Sequence, residues 1–195
     1  KLDVLKNAGI LPFQIQLEEN QIIGNIEDFL KETDILVIDI PPGLRRETST
    51  SNEITFVNKV KTLIPFIEKS GIQKVVFISS TSVYGDGFPI VEITESTQPN
   101  PDTESGKQLV IAETLLQSNS HFKTTVIRFG GLLGDDRHPV RFLAGRTNVE
   151  YPEAPVNMIH SEDCIGIIEK VLDFARDDNW EWNQTFNAVA PQHPT

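Results

Sequence analysis

A short basic segment contains the densest group of anion-binding side chains in the sequence. Arg137, His138 and Arg141 lie close together, and Arg146 follows shortly after them. Guanidinium groups suit two-point recognition of a carboxylate or a phosphate, and histidine changes its charge near neutral pH. We therefore interpret Arg137 and Arg141 as binding residues for an anionic small molecule and His138 as a candidate catalytic residue. The alternative is a loop whose basic residues have only a structural role.

A second chemical feature is a hydroxyl-rich loop that follows an apolar run. Lys74–Ser79 (KVVFIS) is typical of a buried strand, and most of the following residues up to Gly85 have hydroxyl side chains. In open α/β sheets, ligands bind at the carboxyl ends of the strands. The sequence therefore predicts a ligand site lined by the hydroxyls of Ser79–Gly85, although a hydroxyl at a strand end can also serve only to cap that strand.

The elements that must position these loops alternate between strand-like and helix-like segments. The apolar, β-branched runs that predict strands are Asp34–Ile40, Lys74–Ser79, Thr124–Phe129 and Thr185–Val189. Apolar residues at helical spacing predict a helix from Phe56 to a stop at Gly71, a helix over Glu104–Gln117, and a helix capped by Ser161. Strands separated by helices in this rhythm predict an α/β fold with a mostly parallel sheet and helices on both faces.

The composition excludes several classes of protein. The 195 residues fit a single domain, with 38% hydrophobic and 23% charged residues, as in ordinary globular proteins. The formal net charge of -11 comes from 28 acidic and 17 scattered basic residues, which argues against a nucleic-acid partner. Spanning a bilayer needs about 20 consecutive apolar residues, and we expect no membrane span because the sequence contains no such run.

Residues that bind metals or form disulfides give little support for either role. Cys164 is the only cysteine, so an internal disulfide and a multi-cysteine zinc site are excluded. It falls in an apolar helical stretch, which favours a buried structural thiol. His160 and Asp163 have no third ligand at a suitable spacing, so we predict no metal site and expect them to orient a helix start.

Several motifs together resemble the extended short-chain dehydrogenases/reductases, the NAD-dependent epimerase/dehydratase superfamily. The most specific is Lys74–Asp86 (KVVFISSTSVYGD), a strand ending in paired hydroxyl residues followed by Val-Tyr-Gly. Arg128-Phe129 with Gly134 is similar to the family's strand and loop on the nicotinamide side, and Val156–Gly166 (VNMIHSEDCIG) to its helix opening on His-x-x-Asp. The stretches Arg137–Gly145 and Ala190–Pro194 are similar to the atypical, YeeZ-like branch.

The resemblance implies a Rossmann-type fold, NAD or NADP as cofactor, and roles for individual residues. Ser80 matches the family's catalytic serine. The residues that the resemblance places beside the cofactor are Pro41, Ser79, Lys107 and Leu132, and it places Tyr84 on the substrate side. Three of these residues have a simpler alternative: Pro41 can be only a strand breaker, Ser80 only a cap, and Lys107 only a solvated lysine at a helix start.

The sequence departs from the family pattern at its start. A Rossmann domain opens with a strand and a glycine-rich turn that binds the pyrophosphate, and no such motif is present here. The segment Lys1–Ala8 resembles the part of the family that follows its second strand, so roughly 40 family residues are expected upstream. A chain without the central first strand would leave neighbouring strands unpaired. We therefore expect further upstream residues, or another chain, to complete the sheet.

The second departure concerns the family's Tyr-x-x-x-Lys pair, in which lysine lowers the tyrosine pKa for acid/base work. When Glu113 is aligned with the acidic residue after that motif, Ser105 takes the tyrosine position and Leu109 the lysine position. A shift of two residues recovers Lys107 but puts Thr103 at the tyrosine position. Ser105 is thus a candidate proton donor, although helix capping is the simpler role for an unactivated hydroxyl.

These observations support a primary function and two alternatives. The first is an NAD(P)-dependent epimerase/dehydratase-like protein or oxidoreductase acting on an anionic small molecule. A nucleotide-sugar-like compound is one example of such a substrate. The second is a non-catalytic NAD(P)-binding regulatory or sensor protein, and the third a cofactor-independent lyase or isomerase on the same scaffold. We assign residues 1–135 to an incomplete dinucleotide-binding core and 136–195 to a dependent substrate-side region. A cytoplasmic location and a homodimer are further expectations.

Overall fold

The computed structural model describes residues 2–43, 55–86, 91–135, 137–138, 140, 144–145, 147, 153–177 and 179–193. The described helices are α1 (Leu2–Asn7), α2 (Ile26–Leu30), α3 (Thr55–Ser70), α4 (Glu104–Gln117) and α5 (Ser161–Phe174). The described strands are β1 (Gln16–Leu17), β2 (Ile22–Ile23), β3 (Ile35–Ile38), β4 (Lys74–Ser80), β5 (Lys123–Phe129), β6 (Gly131–Leu133), β7 (Met158–His160) and β8 (Thr185–Ala188). A 3₁₀ turn covers Thr81–Val83.

The central sheet has four strands in the order β3-β4-β5-β8, and all neighbouring pairs are parallel. The predicted α/β fold with a mostly parallel sheet is therefore confirmed. Because the strands are parallel, their carboxyl ends meet at one edge of the sheet, where the chain continues into the loops that contain the predicted site. The alignment of Ser79 with Arg128 and of Ser80 with Phe129 fixes the register there.

Helices cover both faces of the sheet. Successive residues of a strand point to opposite sides, so a strand that is apolar throughout presents apolar side chains to both faces. On β4, Val75 and Phe77 pack into a core with helices α2, α3 and α4. Between them, Val76 packs into a second core with α5 and two tryptophans, Trp180 and Trp182. All three β4 side chains are fully buried. The near-continuous apolar run in this strand is therefore explained by burial on both of its faces.

Two small sheets flank the central one and were not predicted from the sequence. Strands β1 and β2 form an antiparallel pair, and β6 pairs in parallel with β7. At the crossing into β6, the backbone of residues 130 and 131 lies very close to β7. A Cβ atom on Gly130 would lie 2.8 Å from the carbonyl oxygen of Asn157, and one on Gly131 would lie 2.6 Å from the sulfur of Met158. Glycine is thus required at position 130, where the short contact is with a backbone carbonyl, whereas at position 131 the contact is with the flexible end of the Met158 side chain.

The start of α5 differs by one residue from the prediction. Ser161 was expected to cap the helix, but it is the first helical residue, and the N-cap is His160. The Nδ1 atom of His160 accepts a hydrogen bond from the backbone N–H of Glu162 at 3.3 Å. The sequence pattern favoured serine because serine is a common capping residue. Among the helices that the structure describes, none combines the length and apolarity needed to cross a membrane.

Candidate functional site

The carboxyl end of β4 presents a hydroxyl beside the neighbouring strand β5. Ser80 has an extended backbone and caps the 3₁₀ turn: its Oγ accepts a hydrogen bond from the backbone N–H of Ser82 at 3.2 Å. This bond uses a lone pair of the oxygen, so the hydroxyl proton can still be donated. The predicted capping role is therefore present, and it is compatible with a second role toward a ligand.

A buried ion pair lies directly below this strand end. The Arg128 side chain donates from Nε to Oε1 of Glu113 at 3.1 Å and from Nη2 to Oε2 at 2.6 Å. The Ser79 hydroxyl donates to the same Oε1 atom at 2.5 Å. These three residues are almost completely buried, and their bonds compensate for the loss of water around the two charges.

The electrostatics of this pair keep the guanidinium charged. Burial alone would lower the pKa of Arg128, but the hydrogen bonds and charge of Glu113, together with the bond to Tyr84, raise that pKa above its ordinary value. The Nη1 atom of Arg128 donates to the phenolic oxygen of Tyr84 at 2.6 Å, and the guanidinium carbon lies 5.0 Å from the centre of the Tyr84 ring. Tyr84, which was predicted on the substrate side, is thus joined to the buried pair.

The first turn of α4 packs against the hydroxyl loop. Thr103 caps the helix by accepting a hydrogen bond from the N–H of Gly106 at 3.0 Å. A Cβ atom on Gly106 would lie only 2.5 Å from the carbonyl oxygen of Ser82, so the two backbones are in close contact. Ser105 is half-buried in this turn, whereas the side chain of Lys107 is 56% exposed, with its Nζ 4.0 Å from Glu104. The predicted site residues Ser105 and Lys107 therefore lie on the helix start next to the Ser80 loop.

Two of the predicted cofactor-binding residues, Pro41 and Leu132, are exposed. Pro41 follows β3 and is exposed, and Leu132 is on β6 with 40% of its surface exposed. A third, Ser79, has its hydroxyl bonded to Glu113. The parallel register brings the end of β3 beside β4 and the end of β4 beside β5. Pro41 and Ser79 consequently lie along one edge of the sheet.

Only part of the basic loop falls within the described residues. Arg137 and His138 are exposed, and Arg137 is held by a turn in which its N–H donates to the carbonyl of Gly134 at 2.9 Å. The Nδ1 atom of His138 accepts from the N–H of Val140 at 3.3 Å. In the neutral imidazole the proton is then on Nε2, which can donate to a ligand. The predicted substrate-binding residue Arg141 lies outside the described residues.

The start of α5 approaches the end of β3. Burial, followed by the negative charges of Asp163 and Asp39, raises the pKa of the Cys164 thiol. Val37 of β3 packs against the core cluster that contains Cys164, so the two elements are close. A thiol held in its neutral form is a poor nucleophile, which agrees with the structural role predicted for this cysteine. Within the described residues, no group of three His, Cys, Asp or Glu side chains could hold a metal ion.

A broad depression lies away from these groups. It has a volume of about 670 Å³ and is open to solvent, between the first residues of β3 and β4 and the last turn of α5. Lys74 and Leu172 line it. This is the amino end of the sheet, opposite the hydroxyl loop, so the chemical groups rather than the depression define the candidate site.

Comparisons with known proteins agree with this geometry. The sequence pattern of the NAD dependent epimerase/dehydratase family matches residues 25–152, which include β3, β4, the hydroxyl loop, α4 and β5. The chain belongs to this family. Protein YeeZ from Escherichia coli (strain K12) is a relative, 32% identical over 194 residues, or 99% of this chain. The chain spans 66% of the length of that relative.

Solved structures of the NAD dependent epimerase/dehydratase family have the same fold. A protein from Methylobacillus flagellatus, provisionally described as an NAD-dependent epimerase/dehydratase, has a TM-score of 0.65 and 25% identity, over 87% of this chain and 61% of its own. The UDP-glucuronic acid 4-epimerase of Bacillus cereus, solved with NAD and a fluorinated UDP-sugar, has a TM-score of 0.70 and 17% identity, over 86% and 57%. The second likeness concerns the fold alone.

The sequence alone predicts no site role for Glu113, Arg128 or Asn187, although the structure joins them to the hydroxyl loop. From the sequence, Glu113 only fixes the alignment of α4, and Arg128 only forms part of a family motif. A signal was present, because Glu113 lies in the apolar stripe of α4 and Arg128 in an apolar strand. Opposite charges at two buried positions are expected to pair.

Proposed function

We propose that this protein binds NAD at the carboxyl ends of β3, β4 and β5 and acts on an anionic small molecule as an epimerase/dehydratase-like enzyme or oxidoreductase. NADP is the alternative cofactor. The observation that supports this proposal is the parallel sheet of an NAD dependent family, with Pro41, Ser79 and Ser80 along its ligand-binding edge. We also propose a cytoplasmic location and a homodimer.

The residues present fit part of a dinucleotide site. Pro41 and Leu132 offer apolar exposed surface, and the Ser80 hydroxyl can donate a hydrogen bond to a reacting oxygen. NAD would supply hydride transfer at its nicotinamide ring. The described residues show no glycine-rich turn after a strand, so they do not supply the pyrophosphate contacts that such a turn provides.

The residues that we propose to act on the substrate are Ser80, Ser105 and His138, with Arg137 and Arg141 binding its negative charge and Tyr84 forming part of the pocket. Ser80 would hold the reacting oxygen and His138 would transfer the proton, because its Nε2 faces away from its own loop contact. Anionic substrates are supported by the two arginines. A nucleotide sugar would provide such a charge in its diphosphate.

A second candidate function is NAD binding without catalysis. The observation that favours it is the start of α4. In the register set by Glu113, the half-buried Ser105 stands at the family's tyrosine position and the buried Leu109 at its lysine position. A serine hydroxyl is a weak acid compared with a lysine-activated phenol. Such a protein would be a sensor or regulator that responds to the dinucleotide.

Isothermal titration of the full-length protein with NAD and with NADP tests the cofactor proposal. Saturable heat with either nucleotide is the expected result, and the tighter of the two identifies the cofactor. No saturable heat with both nucleotides would overturn the proposal.

Turnover assays then separate enzyme from sensor, with panels of UDP-sugars and sugar acids as probes. We expect Ser80→Ala and His138→Ala to lower turnover on the order of 100-fold or more without changing NAD affinity. Ser118→Ala, an exposed serine at the other end of α4, is the matched control. NAD binding without turnover of any probe favours the sensor, and turnover that is unaffected by both site variants refutes the roles proposed for Ser80 and His138. Turnover without any nucleotide favours a cofactor-independent lyase or isomerase.

A further inference from the structure

The charges of the buried pair determine where each nearby proton points. An ionised carboxylate only accepts hydrogen bonds, so the hydroxyl of Ser79 must donate to Glu113. A guanidinium only donates, so the oxygen of Tyr84 must accept from Arg128. The phenol has a single proton, and this proton must therefore be directed to an acceptor on the other side of Tyr84.

Two acceptors share that proton. One is distant from Tyr84 in the sequence, and the other lies in the loop that follows Tyr84. One is Oδ1 of Asn187 on β8, at 2.9 Å, and the other is the backbone carbonyl of Thr94, at 3.2 Å. The buried pair is thereby connected, through one phenol, to β8 and to the loop that precedes α4.

The loop segment reached in this way is a turn, Thr94–Thr97, which packs against the outer edge of β8. The turn is closed by the N–H of Thr97 donating to the carbonyl of Thr94 at 3.0 Å. The carbonyls of residues 184 and 188 face β5, so the intervening Asn187 directs its N–H away from β5. That N–H donates to Oε1 of Glu95 at 2.8 Å.

The Thr94–Thr97 turn has few other means of staying in place. Thr94, Glu95 and Ser96 are exposed, and a segment with little buried apolar surface opens with a small free energy. Its described links to the sheet run through two groups, the phenol of Tyr84 and the N–H of Asn187. The phenol of Tyr84 is oriented by Arg128 and hence by Glu113, whereas the N–H of Asn187 is oriented by the pairing of β8 with β5.

We propose that Glu113 is a positioning residue, which holds the Thr94–Thr97 turn against β8 through Arg128 and Tyr84. The turn then forms a preordered wall at the carboxyl ends of β4, β5 and β8. This inference rests on the proposed function, which places the ligand at the same ends of the strands. Ligand binding does not have to order this wall, which lowers the entropic cost of binding.

Hydrogen exchange of the full-length protein without ligand, resolved at single amides by NMR, tests the inference. In Tyr84→Phe we expect the amides of Asn187 and of Thr94–Thr97 to exchange roughly 3- to 10-fold faster, because one hydrogen-bonding oxygen is lost. The amides of β4 and β5 should change little. Ser118→Ala, which removes an exposed hydroxyl at the far end of α4, is the control and should change neither group.

The role of Glu113 is tested by a double-variant comparison. If Glu113 acts through Tyr84, Glu113→Gln should also accelerate exchange in the turn, and adding it to Tyr84→Phe should cause no further regional acceleration. Unchanged exchange in the turn of Tyr84→Phe, or acceleration spread uniformly over the sheet, overturns the inference. If Glu113→Gln does not fold, Tyr84→Phe and Glu95→Ala still decide whether the turn depends on these contacts. Because no nucleotide is needed, a failed NAD titration would refute the proposed function and leave this result readable.

Discussion

Replacement of the buried Arg128 by methionine should destabilise the protein far more than the same replacement of an arginine on the surface. Arg128 is 6% exposed and Glu113 is 3% exposed, and the guanidinium donates three hydrogen bonds, two to Glu113 and one to Tyr84. Arg128→Met would leave a buried carboxylate with only the Ser79 hydroxyl as a donor. Removing one partner of such a pair costs about 3–5 kcal/mol, and we expect a loss of free energy of unfolding in that range.

The measurement is urea unfolding followed by the fluorescence of Trp180 and Trp182, the two tryptophans of the chain. Arg176→Met is the matched control, because Arg176 forms an ion pair with Asp173 in which both side chains are mostly exposed. That control should cost less than about 1 kcal/mol. The two variants contain the same substitution and differ in burial.

A combined variant separates the loss of the pair from the burial of an unpaired charge. Arg128→Met with Glu113→Leu and Ser79→Ala removes the buried charges and the hydroxyl together. Replacing a buried pair by apolar side chains of similar volume is often neutral or stabilising, so this variant should recover at least half of the loss. Equal costs for Arg128→Met and Arg176→Met, or no recovery in the combined variant, would refute the reasoning.

Two further predictions concern packing and pH. Gly106→Ala should destabilise the protein by about 1–3 kcal/mol, because the new Cβ would lie 2.5 Å from the carbonyl oxygen of Ser82. Gly166→Ala, whose new Cβ would have nothing within 4 Å, should instead stabilise α5 by about 0.5–1 kcal/mol. Thermal unfolding compares the two variants, and a stabilising Gly106→Ala would contradict the close approach. Burial raises the folded-state pKa of Cys164, so the stability that its neutral thiol contributes is complete below the unfolded thiol pKa and is lost as pH rises through the folded one. Urea unfolding from pH 7 to 10 should therefore show a decline that is shallower in Cys164→Ala, and an identical slope in both proteins would count against this assignment.

The central sheet was predictable because its strands are short apolar runs between helices. Lys74–Ser79 and Thr124–Phe129 were placed to within a residue of β4 and β5. The paired strands β1 and β2 were missed because each has only two residues, too few to show an alternating pattern. The cap of α5 was misplaced by one residue because histidine is a less usual capping residue than serine.

The candidate site was predictable only in part, because its chemistry depends on distant contacts. The hydroxyl loop could be placed at a strand end from local pattern alone. The link from Tyr84 to Asn187 joins residues 103 positions apart, and no local pattern reports such a contact. Likewise, one charge in β5 and one in α4 indicate burial individually, but only the folded chain shows that they face each other with Ser79 between them.

The parallel order β3-β4-β5-β8 has a consequence for how fast the chain folds. Neighbouring strands of this sheet are separated in the sequence by at least one helix and its loops. Every pairing therefore closes a long loop before any contact compensates for the lost chain entropy. The β1–β2 pair is the only described local strand pairing. Assembly should therefore be slow for a chain of this size, and strand edges that are still bare during that interval are the surfaces at which unfinished molecules would associate with one another.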